Sequence, residues 1–343
     1  MFLKDKSAGL KHITMQEIKL SALDLSVVTA GGNFESAIQR TVEVAKHIEK
    51  LGFERLWMAE HHNMQHIASS ATAVLIGHVA GNTQTLRIGS GGIMLPNHAP
   101  LAIAEQFGTL ETLYPDRIDL GLGRAPGTDQ ATAMALRKNY ANQHYDFGQN
   151  IMELKGYFEN TDPRTRVRAF PGEGSRVPIW ILGSSTDSAY LAASMGLPYA
   201  FAAHFAPASL MQAIKIYKEN FRPSEDLDKP YIMPCINVVA AETDMEANKL
   251  ATSVYQMFLG IITGERKPLQ PPVDSMDGLW DLQAQAAVAQ MTQCTFIGNK
   301  ETLQRKLSAF IEATGANELM VNSNIYDIEA RLRSFSILKE VFE

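Results

Sequence analysis

Five stretches of this chain carry residue types that could do chemistry. The first is Ala59-Glu60-His61-His62-Asn63, where two imidazoles and a carboxylate leave an apolar run. Such a group could bind a metal, move a proton or hold a ring. Neighbours on a strand point to opposite faces, so His61 and His62 do not easily share one ion. His66 lies four residues beyond His62, but no further His or Asp cluster completes a ligand set. Hydrogen bonding of both rings within the fold remains open, and so does a ring placed beside a substrate or cofactor.

The second stretch is Arg87-Ile-Gly-Ser-Gly-Gly-Ile-Met-Leu-Pro96. Glycine weakens a strand, so Gly89, Gly91 and Gly92 mark either a bulge or the close approach of a flat ligand to backbone. In the third, Gly121-Leu-Gly-Arg124-Ala-Pro-Gly127, proline stands where the third glycine of a dinucleotide fingerprint would be, so that fingerprint fails. Arg124 could hold a phosphate bidentately or form a plain salt bridge. The fourth, Gly183-Ser184-Ser185-Thr186-Asp187-Ser188, opens a helical pattern. Its hydroxyls suit ordinary N-caps, but the same geometry offers amide groups and a favourable dipole to an anion. The fifth, His204-Phe205, ends another apolar run. A lone histidine there carries little weight by itself.

Positioning these residues requires a regular scaffold. Eight short apolar runs read as buried strands: 20–28, 54–59, 87–95, 118–122, 178–182, 199–203, 232–240 and 318–322. Helical patterns separate them, for example Ile38, Val42, Ala45, Ile48 and Leu51 on one face of 36–51. Thr243-x-x-Glu246 opens another as a capping box. Eight such βα units imply right-handed crossovers, a parallel sheet and a (β/α)8 barrel with insertions. A doubly wound sheet is the competing layout. In a barrel the chemistry gathers at the C-terminal ends of the strands, where all five stretches fall.

Composition bounds the rest. At 343 residues, with 45% apolar residues, the chain can bury a large core without staples. A formal charge of −6 argues against nucleic acid as the main partner. Two cysteines, Cys235 and Cys294, build neither a disulfide framework nor a thiolate cluster, and fit a reducing, cytoplasmic setting. No apolar run reaches the roughly 18 residues of a membrane span. Residues 1–18 read as a polar extension without the apolar core of a signal peptide, and Met15 could be an alternative start. The remainder, 19–343, reads as one domain.

The segments ERLWMAEHHN, RIGSGGIMLPNHAPLAIAEQFGTLE, DRIDLGLGRAPGTD and GSSTDSAYLAASMGLP together resemble the bacterial luciferase-like flavin monooxygenases. The resemblance runs from about Leu20 to the C-terminus and is dense over 20–130. It is nearest the luciferase-like oxidoreductase branch of that superfamily. It implies a (β/α)8 barrel binding FMN, used as FMNH2 with O2 on a small organic substrate. The reduced flavin would come from a separate NAD(P)H:flavin reductase. Gly91 and Gly92 match the pair beneath the flavin ring, with a non-prolyl cis peptide at or beside them. Glu105 matches an acidic residue supporting that region, Arg124 the phosphate-binding arginine, and Ser184 and Ser185 the phosphate loop, where Gly183 before them lets a ligand come close. His61 matches the histidine implicated in the chemistry. Gly123 departs from the family, standing where luciferases place a cysteine, so light emission does not follow. Residues 264–294 correspond to a lid, mobile over 264–281. The resemblance also implies a homodimer packed through the helices over 70–81 and 100–113. Neither metal nor membrane is implied. Two other readings stay open: an F420-dependent dehydrogenase of the same superfamily, and a non-catalytic flavin-binding barrel. A metal hydrolase is more distant.

Overall fold

The computed structural model describes residues 15–125, 127–137, 146–159 and 162–343. Most of the expected polar extension and part of the long connection after the fourth strand lie outside these residues. Eight strands close into a parallel barrel, as the alternation of strand and helix patterns predicts. They are β1 (Lys19–Asp24), β2 (Arg55–Met58), β3 (Arg87–Met94), β4 (Ile118–Gly123), β5 (Ile179–Gly183), β6 (Tyr199–Phe201), β7 (Ile232–Ala240) and β9 (Glu318–Asn322). The β6–β7, β7–β9 and β9–β1 pairings complete the ring.

The boundaries have local causes. The first apolar run stops at Asp24, four residues earlier than its hydropathy suggests. The Asp24 carboxylate accepts the Ser26 N–H at 2.6 Å, and Ser26 turns into positive φ. β8 (Thr295–Gly298) is a ninth strand that the sequence pattern did not reveal. It is short and lies outside the ring, pairing with the upper half of the nine-residue β7. That half, Asn237–Ala240, runs past the pairing with β6, which ends at Pro234, and so leaves an edge free.

Of the helices, α1 (Phe34–Lys50) starts at a reciprocal Asn33–Ser36 capping box. It buries Val42, Ala45 and Ile48 as the heptad-like spacing predicts. α2 is Thr72–Gly81, α3 Pro100–Leu113, α4 Gln130–Leu136, α5 Phe147–Phe158, α6 Thr186–Met195 and α7 Leu210–Asn220. α8 (Asp244–Thr263) begins where Thr243 accepts the Glu246 N–H and ends at Gly264 in the left-handed region. α9 (Leu282–Met291), α10 (Lys300–Thr314) and α11 (Ile328–Val341) follow.

α3, one of the two helices expected at a subunit interface, buries Ala104, Gly108 and Leu110 within the subunit. A Cβ on Gly108 would stand 2.1 Å from the Gly172 backbone, and Ala104 and Leu110 are buried. Segment 264–281 also has more anchorage than its Gly and Pro content suggests. Leu269 exchanges backbone hydrogen bonds with Val28 and Ala30, and Val273 donates to the Thr252 hydroxyl. Among the described residues no helix is long and apolar enough to cross a membrane.

The N-terminal end of the barrel is sealed by charge. Arg55 donates to Asp119 at 2.7 Å and Glu318 at 2.8 Å, all three side chains being buried. Trp57 Nε1 and Arg87 also donate to Asp119, and Ser21 and Tyr231 to Glu318. These ties fix the strand ends below the site.

Candidate active site

The C-terminal ends of the strands open into a cavity of about 1740 Å³. That exceeds the roughly 300–1,000 Å³ of a site for one drug-sized ligand, so there is room for a cofactor and a substrate together. The floor is apolar. Leu23, Trp57, Leu182, Cys235 and Met320 face it, and Trp57 meets Trp180 edge-on at 5.2 Å. Burial pushes the Cys235 thiol well above its ordinary value. It therefore stays protonated and is no nucleophile.

Gly91 and Gly92 line the cavity, and the peptide between them is cis. The β3–β4 register slips there by one residue, so the bulge considered from the sequence is real. A Cβ on Gly91 would meet Leu23 and Trp57 at 2.9–3.0 Å, and one on Gly92 the Gly121 carbonyl at 2.8 Å. Packing inside the barrel thus already requires both glycines, independently of any ligand. Gly183 is required in the same way: a Cβ there would fall 1.8 Å from Ser188 Oγ. Its absence lets α6 begin close against β5.

Glu60 organises the rim. Its buried carboxylate accepts the Met94 N–H at 3.0 Å, Asn97 Nδ2 at 3.2 Å, and the rings of His98 and His62 at 2.9 and 2.8 Å. Burial alone would raise this carboxyl. Hydrogen bonds from His98, His62 and the Met94 amide outweigh it and hold the group below its usual range. The end of β2 is thereby tied to the chain that follows the glycine pair. Glu105, the residue expected in that supporting role, is exposed on α3 and outside the cavity lining. The buried face of α3 is formed by Ile103, Ala104 and Phe107, and Glu105 lies off that face.

The two adjacent histidines lie just beyond the end of β2 and both line the cavity. His62 turns its ring to Glu60, whereas the Nδ1 of His61 is buried and unpartnered. Burial lowers the His61 pKa to about 4, reinforced by the positive charge of Arg266. His204 has a similar environment. Its Nδ1 is buried without a partner, and burial followed by the neighbouring His61 lowers it to about 3. Both rings are neutral near pH 7. Among the described residues no three His, Cys, Asp or Glu side chains gather as a metal site.

Arg124, just after β4, donates to Asp187 at 3.1 Å. The salt bridge weighed from the sequence is therefore present, but both side chains are more than half exposed. Such a pair contributes only about 0–1 kcal/mol. Asp187 stands in the first turn of α6, so the contact holds Arg124 at that helix's N-terminus. The N-cap Ser185 makes no side-chain capping bond, which leaves the first-turn amides available. Ser184 and Ser185 both line the cavity.

Sequence reasoning noted Glu60 beside the two histidines without giving it this organising role, and singled out neither His98 nor Asn322 and Asn324 at the end of β9. The last two line the cavity and were accessible from one signal, their place at the C-terminal end of a barrel strand.

Comparison with known proteins agrees with this architecture. The family model for luciferase-like monooxygenase matches residues 18–318. A luciferase-like monooxygenase of Escherichia coli strain K12 is 48% identical over 331 residues, covering 96% of this chain and 99% of its own. The crystal structure of apo-MsnO8 is 33% identical with a TM-score of 0.83, covering 95% and 98% of the two chains. Two more distant structures share the fold. One is the oxygenating constituent of 3,6-diketocamphane monooxygenase from Pseudomonas putida with FMN, 17% identical, TM-score 0.71, covering 94% and 97%. The other is an F420-dependent secondary alcohol dehydrogenase, 16% identical, TM-score 0.68, covering 94% and 98%.

Proposed function

This chain belongs to the luciferase-like monooxygenase family, a family of oxidoreductases, and on that premise we propose that it uses FMNH2 and O2 to oxidise a small organic substrate. A separate NAD(P)H:flavin reductase would supply the reduced flavin. The observation that carries the reading is the pairing of Arg124 with an uncapped α6 N-terminus at the rim of an apolar, glycine-lined cavity. A cation and free amides suit a phosphate, and the floor suits a flat ring.

In this reading Arg124, Ser184, Ser185 and the first amides of α6 hold the phosphate. Gly183 allows its close approach. Gly91, Gly92, Trp57 and Met94, which line the cavity, would hold the ring. The flavin, when bound, supplies the electrons that activate O2. The protein orients it and keeps water from the reacting centre. Segment 264–269 helps by covering the mouth, pinned through Leu269 to the loop after β1. His61, neutral and facing the cavity, accepts or returns a proton during the reaction. Glu60, next to it in the chain, ties this segment to the Met94 amide and the His62 and His98 rings.

The test is an anaerobic titration with FMNH2 and, separately, with reduced F420, followed by O2 uptake in a substrate screen with a flavin reductase. Tighter FMNH2 binding with substrate-dependent O2 consumption is expected. Preferential F420 binding with turnover in the absence of O2 overturns the reading. The same reading makes the protein a C2 homodimer, with the exposed Val74 of α2 and Leu113 of α3 toward the partner. A monomer mass by light scattering at micromolar concentration contradicts that part.

A further inference from the structure

Three strand ends meet across the cavity, each with a buried polar atom that finds no hydrogen-bond partner in the protein. They are His61 Nδ1 after β2, His204 Nδ1 after β6 and Asn322 Oδ1 at the end of β9. All three residues line the cavity. Buried polar atoms are nearly always paired, because an unpaired one costs about 1–3 kcal/mol. Three from separate elements, converging on one apolar space, call for a common explanation.

We propose that His204 is a second substrate-contacting residue, its imidazole joining that of His61 and the carboxamide of Asn322 in a polar seat for a neutral oxygen group, a carbonyl or a hydroxyl. The proposal rests on the monooxygenase reading only in taking the substrate to be a small organic molecule. The chemistry of the seat selects the ligand class. A neutral imidazole offers one donor and one acceptor, and a carboxamide offers both. That set suits an uncharged oxygen better than a carboxylate, which favours a fixed cation. The charged and titratable groups around His61 are Glu60, His62, His66 and Arg266, and His204 has His61 itself. None of them donates to or accepts from either Nδ1.

His204 is also held in place from behind. Its carbonyl accepts Asn237 Nδ2 at 2.6 Å, and Asn237 also donates to Thr295 at 3.1 Å on the extra strand β8. Its ring meets Phe205 edge-on at 4.8 Å. β8 thus has a use beyond the ring: it steadies the residue that carries His204.

The probes are cyclohexanone and its hydrocarbon isostere methylenecyclohexane, which differ only in C=O against C=CH2. Binding to the full-length protein is measured by ligand-observed NMR. The histidine ring 15N resonances are followed on protein carrying labelled histidine. One neutral hydrogen bond is worth about 0.5–1.5 kcal/mol, so the ketone should bind up to about tenfold more tightly than the alkene. The His204 ring resonances should move with the ketone alone. His204→Phe should remove the preference, and His204→Asn, which keeps a donor and an acceptor, should restore part of it. A melting temperature no lower than wild type establishes that His204→Phe is folded. Equal affinity of wild type for the two probes, or a ketone preference intact in His204→Phe, overturns the proposal. If wild type shows the preference but binds no FMNH2, the flavin reading fails and this inference stands. If it binds FMNH2 without the preference, the reverse holds.

Discussion

The two ends of the barrel treat buried polarity in opposite ways. At the N-terminal end Arg55 is matched by Asp119 and Glu318, with Arg87, Ser21, Trp57 and Tyr231 taking the remaining carboxylate positions. Within this cluster the Trp180 indole N–H is left without a partner, under the Arg55 guanidinium at 5.0 Å from its ring. At the C-terminal end Glu60 is fully engaged, yet His61, His204 and Asn322 keep unpaired atoms toward the cavity. One end is finished as structure. The other holds hydrogen-bonding capacity in reserve, as a binding site must.

The largest expected effect lies at the finished end. Glu318→Ala leaves Arg55 buried with half its partners gone, which costs about 3–5 kcal/mol by comparison with other broken buried pairs. Urea unfolding measures it. A loss below about 1 kcal/mol would mean that the charge cluster is as dispensable as a surface pair, and the contrast between the ends would fail.

At the open end the expected signature is a pH dependence. His61 and His204 titrate in the folded protein at about 4 and about 3, below the ordinary histidine value of about 6.5. As pH falls below 6.5 the unfolded chain takes up protons that the folded chain refuses. Stability therefore declines toward pH 4, and the decline ends once the folded rings protonate. Each ring contributes on the order of 2 kcal/mol by pH 5 at about 1.4 kcal/mol per pH unit. His204→Phe should flatten that acid slope. An unchanged slope would place His204 in contact with water and outside the dry part of the cavity.

A smaller effect separates two neighbouring glycines in β4. A Cβ on Gly121 would stand 2.2 Å from the Ser90 carbonyl, whereas one on Gly123 would meet the flexible end of Met94, with Sδ at 2.9 Å. Gly121→Ala should cost about 1–3 kcal/mol and Gly123→Ala less than about 1 kcal/mol, since Met94 can swing into the cavity. Thermal melting compares them. Equal losses would show that Met94 is as fixed as backbone.

Much of this was legible in the sequence because barrel strands are buried on both faces and read as apolar runs. All eight were visible, and the rule that chemistry sits at their C-terminal ends led to His61, Arg124 and Ser184–Ser185. β8 was not visible, because a four-residue strand on a free edge leaves no hydropathy signature. Glu105 and Glu60 show a second limit. Both are acidic residues near the glycine pair, and only the packing of α3 tells that one faces outward. His204 illustrates a third: its significance comes from having no partner, a property of three-dimensional surroundings that a lone histidine in a sequence cannot display.

The central claim is that the open end grips the phosphate of FMN through Arg124 and the start of α6. The direct measurement is anaerobic calorimetry of FMNH2 and reduced riboflavin on wild type and on Arg124→Ala. A hydrogen bond to a charged group contributes about 1.5–3 kcal/mol, so the substitution should weaken FMNH2 by one to two decades. Reduced riboflavin, lacking the phosphate, should bind wild type less tightly and be nearly indifferent to the change. Stability should hardly move, because the Arg124–Asp187 pair is exposed. An equal loss for both ligands, or none for either, would remove Arg124 from the site and contradict the account.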